Sequence, residues 1–148
     1  MSAMNVIKAD ERHLDLLADL FDAYRQFYGQ APDLARAHDF LAERMDRGES
    51  VMFLALDGQA ALGFTQLYPV FSSVSTAPMW LLNDLYVTQE ARGHGVGAAL
   101  MNQAQAHAKQ TGACQLLLET AADNPARSLY ERCGWQLVTE RVFYTLNP

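Results

Sequence analysis

Hydrophobic and polar positions repeat with different periods along the chain, and each change of period marks an element. Residues 5–9, "NVIKA", read as a short first strand, after which Leu17, Leu20, Phe21, Tyr24, Phe27 and Tyr28 recur at helical spacing. That spacing predicts an amphipathic helix ending at Gly29. Pro32 opens a second helical run with Leu34, Ala37, Leu41 and Met45 on one face, and Gly48 stands where a glycine would close it. "VMFLAL" and "AALGFTQLY" flank Asp57-Gly58, which signals a hairpin between two antiparallel strands. Beyond the Ser-rich loop "FSSVSTAP", residues 79–87, "MWLLNDLYV", are almost uniformly apolar, as a strand covered on both faces should be, with Asn83 and Asp84 as the exceptions. Residues 95–110 are rich in good helix formers, and Gly112 follows as a stop. "CQLLLET" reads as another buried strand. Asn124-Pro125 supplies an N-cap and a first-turn proline for a short helix running to about Cys133 with Gly134 as its cap, and "WQLVTE" and "RVFYTLN" read as two closing strands.

The resulting order is β-α-α-β-β-β-α-β-α-β-β, without repeats, low-complexity segments or linkers. It predicts a single α/β (α+β) domain over residues 1–148, a mixed, mostly antiparallel sheet of about seven strands with helices on both faces. Half of the 148 residues are apolar, enough for one core. No apolar stretch is long enough to span a membrane, and the N-terminus lacks the basic-then-apolar order of a secretory signal, so a soluble cytoplasmic protein with no membrane partner is expected. A net charge of −6 with the basic residues scattered singly argues against nucleic acid and is compatible with a cationic small substrate. Cys114 and Cys133 offer neither a disulfide framework nor a zinc-site spacing, and both read as packing residues.

The chemistry concentrates in "ARGHGVGAAL", where Gly93, Gly95 and Gly97 open a helix. Free N–H groups and the positive dipole end make such a turn a seat for phosphate, and Arg92 can add a charge-assisted bond. The Walker pattern fails because no lysine follows. Gly93, Gly95 and Ala98 satisfy G-x-G-x-x-[GA], but "TQEAR" separates Val87 from Gly93, whereas the dinucleotide fold places its first glycine at the strand end. Arg92, Gly95 and Gly97 also match [RQ]-x-x-G-x-[GA], and here the chain resembles the GCN5-related N-acetyltransferase (GNAT) family. The resemblance extends to "NPARSLYERCGW", which is similar to the family's N-x-x-[AS]-x-x-[FL]-Y-x-x-x-G-[FW] segment with Asn124, Leu129, Tyr130, Gly134 and Trp135 as matching positions.

Membership would imply acetyl-CoA as cosubstrate, its pyrophosphate on Arg92, Gly93, His94, Gly95, Val96 and Gly97. Leu85, Tyr86 and Val87 would lie along the pantetheine arm where the following strand splays away, and Asn124 would contact the CoA arm. A thiol titrates near ~8.5 and a phenol near ~10, so a neutral tyrosine can protonate the departing thiolate. Tyr130 resembles the family's general acid. A primary amine arrives protonated, with a pKa near ~10.4, and needs a base. Many relatives place a glutamate on the strand before the glycine loop. Here Asn83 and Asp84 occupy that place, and strand alternation sends them to opposite faces unless a bulge re-aims them. Asp84 is the candidate base or ammonium anchor; the alternative is that it only bonds backbone N–H groups at a bulge. Tyr28, Asn83, Asp84 and Phe71 are the candidate acceptor contacts. The expected reaction is direct acetyl transfer to a small-molecule primary amine, an amino acid or polyamine-like compound. A protein N-terminus or lysine as acceptor, and a non-catalytic acyl-CoA sensor domain, stay open. By analogy with the family, so does a homodimer.

Overall fold

In a computed structural model describing residues 3–148, one sheet is built from β1 (Met4–Lys8), β2 (Val51–Asp57), β3 (Ala60–Ser72), β4 (Ala77–Val87) and β5 (Gln115–Leu117), in that spatial order. All neighbours are antiparallel except β4 and β5, which are parallel. Helices α1 (Leu14–Phe27) and α2 (Leu34–Asp46) cover one face, and α3 (Val96–Gln110) and α4 (Arg127–Arg132) cover the other. Local chemistry sets most of these boundaries. Asp33 caps α2 by accepting from the Arg36 N–H at 3.1 Å, and Gly58 takes a φ of 61° in the turn that pairs Asp57 with Ala60.

Two apolar cores lie on either side of the sheet. Leu17, Leu20, Phe21, Ala37 and Leu41 pack on Leu54 and Phe64, while Val96, Leu100, Met101 and Ala104 pack on Leu67 and Leu82. The β3–β4 ladder carries one irregularity. Gln66 pairs with Asp84 and Leu67 with Leu82, leaving Asn83 as the extra residue of a bulge. Leu82 consequently faces the α3 core, whereas Asp84 faces the α1–α2 layer beside Gln66.

The sheet has five strands among the described residues, not seven. "CQLLLET" contributes only Gln115–Leu117, because its partner β4 diverges after Leu81. "WQLVTE" and "RVFYTLN" form no strand. Trp135 is packed against the α3-side core, but Leu137, Val142, Phe143, Tyr144 and Leu146 are exposed. Alternation and β-branching express strand propensity only through cross-strand neighbours, and none is paired with this segment. Cys133 is partly buried against the same core, whereas Cys114 is exposed, so the packing role holds for the first alone. No helix among the described residues is long and apolar enough to cross a membrane.

Candidate active site

The site begins where the sheet forks. Residues 79–81 of β4 pair with β5, and the pairing ends there. Strand alternation then fixes which backbone groups face the opening. The Thr88 N–H bonds Leu62 on the β3 side at 2.9 Å, so Leu85 and Val87 direct their N–H and C=O groups to the other, open edge. A cavity of about 530 Å³ occupies the fork, bounded by Leu81, Leu82 and Asn83 on one side and by Glu119, Thr120 and Ala121 on the other. Tyr24, Tyr28 and Phe143 complete its walls.

The glycine loop lies at the end of this open edge. Gly95 is the N-cap of α3 with φ 82°, a left-handed conformation that a side chain would strain. The first bond of the helix runs from the Ala99 N–H to the Gly95 carbonyl, so the N–H groups of Val96, Gly97 and Ala98 have no acceptor within the helix. Gly97 is glycine for a different reason. A Cβ there would stand 2.9 Å from Leu129 Cδ2, so its bareness lets α3 approach α4. Arg92 is exposed, its Nε donates to the Val87 carbonyl at 3.0 Å, and its guanidinium lies over Tyr86 and Phe27. Gly93 and His94 are exposed beside it, with His94 Nδ1 3.3 Å from the Ala91 carbonyl oxygen. The loop thus presents free N–H donors, a cation and no Cβ at its two exposed glycines, which suits a pyrophosphate.

Tyr130 of α4 is half-buried against the α3-side core, next to Thr120 and Tyr28 of the cavity wall. Burial raises its pKa, with the Thr120 hydroxyl pulling the other way. Asn124 bonds within its own turn. Its Nδ2 donates to Thr120 Oγ1 at 2.7 Å and its Oδ1 accepts from the Ala126 N–H at 2.9 Å. Both ends of the amide thus brace the turn before α4, whose N-cap is Ala126 rather than Asn124 because the Arg127 N–H closes a turn onto the Asn124 carbonyl. Counted back from Tyr130, the family pattern's asparagine position falls on Asp123. One N–H and one oxygen lone pair of the amide remain beyond these bonds.

Asp84 is 2% exposed. Gln66 Nε2 and Asn83 Nδ2, the latter at 2.8 Å, donate to its carboxylate. Its backbone carbonyl accepts from Thr65 Oγ1 at 2.7 Å. Burial pushes its pKa up, while these amides and the Tyr24 hydroxyl hold it down. The expected bulge is present, but it makes Asn83 the cavity residue and sets Asp84 behind the wall. Asp84 therefore makes no direct acceptor contact. Its carboxylate is bound by side-chain amides, not by the backbone N–H groups of the alternative reading.

Tyr28 and Asn83 line the cavity as expected. Phe71 does not. It sits opposite Pro78 near the far end of β3 and is 78% exposed, because β3 runs on to Ser72 and carries it away from the fork. The phenylalanine of the wall is Phe143. Glu119, Thr120 and Phe143 were missed. The first two could have been found from the position just past the carboxyl end of a parallel strand, where ligands of open sheets collect.

Residues 14–135 match the model of the acetyltransferase (GNAT) family. The chain is 45% identical over 145 residues, 97% of each chain, to the uncharacterized N-acetyltransferase YhfO of Bacillus subtilis strain 168. It is 28% identical over 126 residues, 81% of each chain, to an aminoglycoside N(6′)-acetyltransferase type 1 of Stenotrophomonas maltophilia. The crystal structure of a probable acetyltransferase superposes with a TM-score of 0.91 at 41% identity, covering 97% of both chains.

Proposed function

The chain belongs to the GNAT family of acetyltransferases, and we propose that it moves an acetyl group from acetyl-CoA to the primary amine of a small molecule by direct transfer in a ternary complex. The observation that carries this reading is the unpaired edge of β4 beyond Leu81, with the free N–H groups at the start of α3 at one end and Tyr130 near the other. Leu85 and Val87 bond an extended pantetheine arm as a neighbouring strand would, and Arg92 with the N–H groups of residues 93–98 holds the pyrophosphate. A backbone N–H on the same edge polarises the thioester carbonyl.

Tyr130, kept neutral by burial, gives its proton to the departing thiolate. Asn83, Tyr28 and Glu119 meet the amine, and the carboxylate of Glu119 with the aromatic walls favours a cationic acceptor. The relative from Stenotrophomonas maltophilia, named for aminoglycosides, acts on molecules of that kind. Cys133, at the C-cap of α4, stands where the helix dipole disfavours a thiolate, which supports direct transfer over an acyl-enzyme.

The test is Tyr130→Phe, followed by thiol release from acetyl-CoA across a panel of primary amines. Turnover should fall by about 10²-fold while acetyl-CoA affinity, measured by calorimetry, stays unchanged. Equal turnover in both proteins would remove Tyr130 from the reaction.

A further inference from the structure

We propose that Tyr24 is a catalytic residue of this site, its hydroxyl carrying the acceptor's proton from the cavity to the buried carboxylate of Asp84. The inference rests on the acetyl-transfer reading above. It answers a geometric difficulty of that reading, since the one carboxylate of β4 is 2% exposed and lies behind the cavity wall. For Asp84 to take the acceptor's proton, a group of the wall must carry it.

Tyr24 is placed to do so. Its ring forms part of the wall, and its hydroxyl donates to the carbonyl of Asn83 at 3.3 Å, immediately before Asp84 in the chain. The same hydroxyl is among the groups that hold the Asp84 carboxylate in its charged form. The two side chains that donate to that carboxylate, Gln66 and Asn83, are amides, which neither accept nor surrender a proton at working pH. A phenol both donates and accepts.

The remaining titratable groups around Asp84 do not compete. Tyr68 of β3 faces the carboxylate from a second cavity, which it lines with Phe40 and Arg44, on the α2 side of the sheet. Its pKa is pushed up to about 12 by burial and then by Asp84. Arg44 of α2 is engaged by Glu49 at 3.1 Å and Glu43 at 3.3 Å. Tyr28, at the C-cap of α1, stands against the Tyr24 ring. Burial and the Asp84 charge raise the pKa of Tyr24 far above the ordinary phenol value, so Tyr24 cannot serve as the base alone. It can only pass on its own proton as it receives another.

In balanced form, one N–H proton of the acceptor ammonium moves to the Tyr24 oxygen while the Tyr24 proton moves to Asp84, which becomes a neutral acid. The freed nitrogen lone pair attacks the acetyl carbon. As the C–S bond breaks, the sulfur takes a proton from Tyr130, and the second proton shed by the nitrogen restores it. One proton remains on Asp84 and leaves by the same path when the cavity empties.

Tyr24→Phe is a clean probe, because the ring is held by Phe21, Tyr28 and Phe64 at centroid distances of 6.2, 5.0 and 6.0 Å and only the hydroxyl is lost. The first readout needs no substrate. In the free protein the Asp84 carboxyl titration, followed by carbon-13 NMR, should move upward in Tyr24→Phe because one donor to the charged form is gone. The second is the pH profile of kcat/KM with 1,4-diaminobutane and a panel of other primary amines. Tyr24→Phe and Asp84→Asn should each lose about 10²-fold at neutral pH and regain rate as pH climbs toward the amine's own ~10.4. The double variant should lose no more than the worse single one, with acetyl-CoA affinity intact in all three. An unmoved titration, an unchanged rate in Tyr24→Phe, or losses that multiply would each overturn the relay while acetyl transfer stands. No turnover by the wild-type chain with any amine would overturn the acetyl-transfer reading, and the relay with it.

Discussion

His107 sits between the rings of Phe53 and Trp80, at 5.5 and 4.9 Å, buried and with no hydrogen-bond partner for Nε2 among the described residues. Burial, with Lys8 adding to it, lowers its pKa below the ordinary 6.5. Between that value and the lower folded one the unfolded chain binds more protons, so this contribution to stability is complete above pH 6.5 and is lost as pH falls through the window. Denaturant midpoints at about pH 7.5 and pH 5.5 should therefore differ more for the wild type than for His107→Leu. Equal differences would mean the imidazole does not titrate on unfolding. His107 falls on the same stripe of α3 as Leu100 and Ala104, so its burial follows from its position along the helix despite its polar type. Asp84 illustrates the opposite limit. Its burial depends on a bulge and on Gln66, eighteen residues away in the chain, and no local pattern announces either.

At the scale of elements, one carboxylate fastens the junction between α1 and α2. Asp22 accepts from Arg25 Nη1 at 2.8 Å, Gln26 Nε2 at 3.2 Å and the Asp33 N–H at 3.0 Å, tying the end of α1 to the cap of α2. Tyr28 of the cavity wall stands in the segment so secured. Asp22→Ala strands the Arg25 guanidinium in a partly buried place and should destabilise the protein by about 3 kcal/mol in urea unfolding. A loss below about 1 kcal/mol, the level of an exposed pair, would show that solvent takes over the role. Elements of this kind were legible in the sequence because their signals are local. Gly29, Asp33, Gly48 and Gly58 act within a few residues, and both helices and the hairpin form within two residues of their predicted ends. β5 and the segment after Trp135 were not legible for the complementary reason. A strand exists only where a neighbour offers a ladder, and the pattern "CQLLLET" says nothing of where β4 turns away.

For the molecule as a whole, order is distributed unevenly. Amide exchange should be slow across β2 and β3, which are paired on both edges for much of their length, and fast throughout residues 136–148. Protection in that last segment would mean that it finds a partner in solution. Most of the site's location was legible, since the glycine loop and Tyr130 belong to two motifs whose separation along the chain matches the strand and helix between them. Its acceptor side was not, because Glu119 and Phe143 come from the ends of segments that meet only in three dimensions. The bulge at Asn83 links these scales. It shifts the phase of β4 by one residue, so that the strand is written in two reading frames, one before Asn83 and one after it. Deleting that residue would leave Leu82 opposite Leu67 and Asp84 opposite Gln66, so the ladder would close as a regular strand with every downstream side chain still on its present face. Substitution at Asn83 changes a contact, whereas its deletion would take away the bulge and that wall of the cavity together and leave the rest of the strand in phase.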